Sequence, residues 1–174
     1  YKPIYEESDV HKALGLISVY DQYLTVYTLN ENVSFEWLRN SHCVGAAQLR
    51  LILRDRTNVR KVLYSSDIGA IMPENHYVMP TEIPEMFNDV TIMESTYGSE
   101  KRDAKKPRFF DVKHLESAID TTLERGGTVV FPCFSFARTQ EILTTLYEIY
   151  GAAEFRYQIF VDSKLSCEIC DLYS

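Results

Sequence analysis

The pattern of this chain changes once, near Gly98, and that change limits the folds open to it more than any other feature. Upstream, apolar residues alternate in short runs separated by polar turns, the signature of antiparallel hairpins. Tyr23 to Leu29 and Val33 to Arg39 flank Asn30-Glu31-Asn32, with Val33, Phe35 and Trp37 sharing one face. Ala47 to Leu53 and Val59 to Ser65 flank Arg54-Asp55-Arg56-Thr57-Asn58, a polar turn suited to a second hairpin. A short helix precedes them, capped by Ser8 and carrying Val10, Ala13, Leu14 and Ile17 at helical spacing. Downstream, helices and strands alternate. A helix runs from Asp111 through Arg125 to a Gly126-Gly127 stop, then a strand from Thr128 to Phe131 and a helix from Ala137 to Tyr150. A strand from Gln158 to Val161 and a helix from Leu165 follow, so the spacing predicts parallel βαβ units and an α/β fold.

Three polar residues close strand-like runs in the first half: His42, Asp67 and Glu94. A proline-bearing connection, Ile71 to Asn88 with Pro73, Pro80 and Pro84, is irregular and borders that region. Val90 to Glu94 then reads as a short buried strand that delivers Glu94. An imidazole and a carboxylate from different strand ends suit borderline Zn²⁺, which accepts neutral nitrogen and anionic oxygen. Taken singly, each has a plainer reading: His42 as a hydrogen-bonded loop histidine, Asp67 as a cap on the turn with Gly69.

Composition narrows the classes. With 174 residues and 45% hydrophobic content the chain buries a real core. A net charge of -7 excludes nonspecific coating of nucleic acid, which needs a positive surface. Locally, Lys101, Arg102, Lys105, Lys106 and Arg108 crowd one stretch, either a solvated loop or a guide for a polyanion. No apolar run reaches the ~20 residues that cross a bilayer, and the first residues lack the apolar stretch of a secretory signal, so a soluble, cytoplasmic protein with no membrane partner is expected. Four scattered cysteines form no disulfide framework, and the Cys167/Cys170 pair reads as buried apolar residues on a helix.

The ordered motifs carry a resemblance. Asn40-Ser-His-Cys-Val-Gly-Ala-Ala47, Tyr64-Ser-Ser-Asp-Ile-Gly69 and Glu94-Ser-Thr-Tyr-Gly98 resemble the later motifs of the metallo-β-lactamase superfamily, in its β-CASP nucleic-acid-processing branch. Gly126 to Glu141 and Val161-Asp-Ser163 are similar to that branch's inserted domain. The resemblance implies that residues 1–98 form the second half of an αββα catalytic sandwich, and that residues 99–174 begin a parallel α/β insert. It implies His42 as a ligand of one zinc, Asp67 as a carboxylate bridging two zinc ions, and Glu94 as a supporting acid. Arg138 and Gln140 resemble the pair that opens an insert-domain helix, and Arg138, Lys101 and Arg102 are its candidate substrate-binding residues. The implied activity is a ribonuclease, hydrolysing single-stranded RNA through a hydroxide shared by two zinc ions. A homo-oligomer is left open.

The departures matter equally. The family's first metal motif, His-x-His-x-Asp-His, is absent from this sequence, as are its later histidine motifs, so the chain reads as an internal piece, inactive or nearly so alone. The remaining histidines, His11, His76 and His114, form no HxH or HxxxH pair. Ser66 stands where the family usually has glycine, and its β-carbon resists positive φ, so a slightly altered turn is expected there. A non-catalytic scaffold of the same fold, or a small-molecule hydrolase of the superfamily, are the alternative readings.

Overall fold

The computed structural model describes residues 3–71, 73, 78–84, 87–100, 112–154 and 157–173. The chain divides into two compact units, Tyr1–Gly98 and Ser99–Ser174. The first holds helix α1 (Glu7–Leu14) and a five-stranded sheet: β1 (Tyr27–Thr28), β2 (Val33–Arg39), β3 (Ala47–Arg54), β4 (Val59–Tyr64) and β5 (Val90–Ile92). The strands lie side by side in chain order; the first three pairings are antiparallel, and β5 joins β4 in parallel. The second unit holds α2 (Val112–Glu124), α3 (Arg138–Glu154) and α4 (Lys164–Tyr173), and the fold as a whole is α/β with a mixed sheet.

Turn chemistry sets the two central hairpins. Asn30 Oδ1 accepts from the backbone N–H groups of Asn32 and Val33 at 2.9 Å each. Asp55 Oδ1 accepts from those of Thr57 and Asn58 at 2.8 Å each. These side-chain bonds close each turn before the ladder begins, and they hold the Asp55 carboxyl below its usual range. Register then assigns the faces. Phe35 opposes Leu51 and Trp37 opposes Leu49, so the apolar residues of β2 and β3 share one side. Tyr20 and Tyr27 pack on Phe35, with ring centroids 5.1 and 5.4 Å from it, and Trp37 lies 5.4 Å away. The opposite side carries Glu36 across from Arg50, a nearly buried ion pair, and Leu38, the most deeply buried large apolar residue of the sheet at 2% exposure.

Several elements differ from expectation. The first helix is bounded by Glu6 rather than Ser8: the Glu6 backbone N–H donates to Asp9 Oδ2 at 3.0 Å, and Gly15 ends the helix before Ile17. The first strand shrinks to Tyr27–Thr28 because Leu24 takes φ 59, which breaks the pleat after the lone Tyr23–Trp37 bridge. β5 is exposed along its length, an edge strand and not a buried one. No ladder forms at 128–131 or 158–161 among the described residues, although strands were expected there. A strand exists through its neighbour's hydrogen bonds, and Val130 and Phe160 stay 77% and 82% exposed. Helix α3 starts at Arg138 and extends past Tyr150, breaking at Gly151, whose φ is 65. Cys133 and Cys167 are exposed, and Cys43 and Cys170 half-buried, so the cysteine pair on α4 is not the buried apolar pair expected. Among the described residues no helix is long and apolar enough to cross a membrane. His76, the cap at Asp111 and the whole basic cluster with Lys101 and Arg102 lie outside the described residues.

Candidate metal centre

Strand direction brings three loop residues to one edge. β2 and β4 both run antiparallel to β3, so they run parallel to each other, and β5 is parallel to β4. The carboxyl ends of β2, β4 and β5 therefore lie on one side of the sheet, and His42, Asp67 and Glu94 each follow one of those ends by two or three residues. His42 Nε2 stands 3.9 Å from Asp67 Oδ2, with the two side chains 41% and 76% exposed. Glu94 Oε1 accepts the backbone N–H of Ile68 at 2.8 Å, and so reaches the residue next to Asp67.

The loops are fastened to each other behind this pair. Asn40, 3% exposed, accepts with Oδ1 from the backbone N–H groups of His42 and Gly69 at 3.0 Å each. Its Nδ2 donates to the Asp67 carbonyl at 2.7 Å and the Ser65 carbonyl at 3.3 Å. Ser41 donates its hydroxyl to the Ala70 carbonyl at 2.6 Å, and Thr81 donates to that of Gly69 at 3.2 Å. At Gly69 the loops meet without room for a side chain: a β-carbon there would lie 2.3 Å from Ser41 Oγ and 2.4 Å from the His42 nitrogen. Ser66 adopts φ 56, so the residue before Asp67 takes the left-handed conformation despite its β-carbon.

Electrostatics divide the acids. Hydrogen bonds from Thr96 and from the Ile68 N–H, with a smaller pull from His42, hold the Glu94 carboxyl below its ordinary value. Glu94 is thus anionic at neutral pH, an acceptor and not a proton donor. Asp67 carries its carboxylate into solvent beside His42. Zinc bonds of about 2.0–2.1 Å at a tetrahedral angle place two donor atoms about 3.4 Å apart, somewhat closer than the two atoms stand here. Among the described residues no group of three or more His, Cys, Asp and Glu is gathered for a metal. The residues present fit two ligands of a centre, not a complete set.

The remaining candidates lie elsewhere. In the second unit, Arg138 opens α3 and pairs with Glu141 on the next turn. Gln140 is buried at 4% exposure, its Nε2 donating to the Ser135 carbonyl at 3.1 Å. A cleft of 370 Å³ is lined by Tyr20, Tyr23 and Trp37 with Gly45 and Ala47, beside the aromatic face and not at the His42–Asp67 pair. Sequence reasoning missed Asn40, Ser41 and Thr81. An asparagine two residues before His42 is a legible turn signal, but its bonds to residues 65–69 belong to tertiary structure.

No family model matches the chain. It is 32% identical over 162 residues to an RNase J-like protein of Methanocaldococcus jannaschii, covering 92% of this chain and 37% of that protein. It is 31% identical over 151 residues to cleavage and polyadenylation specificity factor subunit 3-I of Arabidopsis thaliana, and 30% identical over 149 residues to endoribonuclease YSH1 of Yarrowia lipolytica. These cover 85% and 86% of this chain but 20% and 17% of the relatives. The chain therefore spans well under half the length of each.

Proposed function

Because this chain belongs to the β-CASP branch of the metallo-β-lactamase superfamily over the stretch it shares with these relatives, we propose that it is part of a zinc-dependent ribonuclease acting on single-stranded RNA. The observation that carries the reading is the approach of His42 to Asp67 at 3.9 Å from two separate strand ends. His42, through an imidazole nitrogen, and Asp67, through its carboxylate, would hold the metal. Zinc held there would supply charge neutralisation at phosphoryl oxygens and acidify a water to a pKa of about 7. The task left to this chain's own residues is to aim the two ligands. Glu94 supports Asp67 by holding the Ile68 N–H. Arg138, with Lys101 and Arg102, is assigned to the RNA backbone on charge. The unit Tyr1–Gly98 is read as part of the catalytic domain and Ser99–Ser174 as part of the insert.

Two ligands do not hold two zinc ions with open positions, so the chain alone is expected to be inactive and to retain well under one zinc per molecule. Stoichiometric di-zinc binding by plasma mass spectrometry would overturn that expectation. In the intact protein, Asp67→Ala is expected to abolish cleavage of single-stranded RNA with little change in circular dichroism; unchanged cleavage removes Asp67 from the mechanism. A second reading is a non-catalytic scaffold of the same fold. It predicts no cleavage by the unaltered protein supplied with zinc.

A further inference from the structure

Asn40 belongs to neither proposed ligand, yet one carboxamide reaches the backbone on both sides of the pair. Such a group has one acceptor oxygen with two lone pairs and two N–H donors. All four capacities are filled: Oδ1 by the N–H groups of His42 and Gly69, Nδ2 by the carbonyls of Asp67 and Ser65. The turn over residues 65–69 lies beyond the end of β4, and side chains bond its polar groups. Ser65 O, Asp67 O and Gly69 N bond to Asn40, and Ile68 N to Glu94. Strand direction and the Ser65 N–H bond to the Ile92 carbonyl bring the two loops to one edge, and past that point side-chain bonds place Asp67 against His42, four of them from Asn40.

We infer that Asn40 is the positioning residue of this site, setting the separation of His42 and Asp67 and with it the affinity of the pair for a divalent cation. The cation half of the inference rests on the proposed metal reading; the positioning half rests on the hydrogen bonds alone. Gln48 is the matched comparison: a carboxamide buried to 2% exposure, its Nε2 donating to the carbonyls of Arg39 at 3.2 Å and Glu82 at 2.8 Å, outside the 65–69 turn. A loss of general stability would be common to both residues, whereas positioning is particular to Asn40.

The test uses the chain in solution with Co²⁺ as the probe ion, read by NMR. In Asn40→Ala, amide exchange at His42 and Gly69 accelerates together by about tenfold or more, as a lost buried bond allows, and in Gln48→Ala it does not. Co²⁺ affinity, read from the His42 ring signals, falls about tenfold or more in Asn40→Ala, the scale seen when a ligand's supporting bond is removed. Unchanged exchange at either amide, or a Co²⁺ affinity within about twofold of the unaltered chain, overturns the inference. So does an equal loss in Gln48→Ala. If the unaltered chain leaves the His42 ring unmoved by Co²⁺, the cation half of the inference fails, and the exchange data still decide the positioning. Should Asn40→Ala not fold, the neutral Asn40→Gln moves the carboxamide by one methylene: exchange at His42 and Gly69 accelerates and Co²⁺ affinity falls, and unchanged exchange at either amide overturns the inference.

Discussion

Gly69→Ala is the perturbation that most directly probes how the two loops meet. The added methyl falls 2.3 Å from Ser41 Oγ, 2.4 Å from the Ser41 carbonyl carbon and 2.4 Å from the His42 nitrogen. Two of these three atoms are backbone, so no rotamer change relieves the clash and the loops must part. Overpacking of this kind costs roughly 1–3 kcal/mol. Parting also stretches the Gly69 N–H bond to Asn40 and the Thr81 hydroxyl bond to the Gly69 carbonyl, each worth about 1 kcal/mol. Stiffening of the unfolded chain returns about 0.4–1 kcal/mol. The net expectation is a destabilisation of about 2–5 kcal/mol, read as a lowered urea midpoint at unchanged slope. Gly45→Ala is the contrast: its β-carbon meets nothing within 4 Å, but its φ is 81, so only the left-handed strain of about 1 kcal/mol applies. Ser41→Gly added to Gly69→Ala is expected to restore part of the loss, since the backbone contacts persist. If Gly69→Ala costs no more than Gly45→Ala, the two loops do not touch as described and the reasoning fails.

Other expectations follow from single groups. Ser66→Gly relieves a left-handed serine with φ 56 and is expected to stabilise by about 0.5–1 kcal/mol after glycine's extra chain entropy; a lower melting temperature would count against the strain. Glu94 has a depressed carboxyl pKa, so its contribution is present above its unfolded value and is lost as pH falls through the folded one. The stability difference between the unaltered chain and Glu94→Gln should then hold steady from neutrality to about pH 4.5 and shrink below it, as denaturation at several pH values will read; a difference independent of pH would refute the assignment. Burial, then the hydrogen bond to Asp120, pushes the Tyr150 phenol from 10.0 up to about 12. Its contribution is therefore full below pH 10.0 and fades as pH climbs to about 12, and Tyr150→Phe should remove one late-titrating phenol from the ultraviolet titration.

Local chemistry made much of the first unit legible. The strand boundaries at Val33 and Arg39, and the turns at Asn30 and Asp55, follow from alternation and from side chains that bond their own backbone. The ordered motifs around His42, Asp67 and Glu94 carried the family, because glycine and small residues beside polar ones leave a recognisable trace in one dimension. Strands 128–131 and 158–161 misled, since a strand depends on a neighbour that periodicity cannot supply. Tertiary structure alone decided the rest. It placed β5 as an exposed parallel edge, buried Glu36 against Arg50, and made Asn40 the common anchor of two loops separated by more than twenty residues. Residue types and local turns are written along the chain; which carbonyl a buried amide meets depends on how distant segments pack, and only the folded arrangement brings Asn40 to the carbonyl of Asp67.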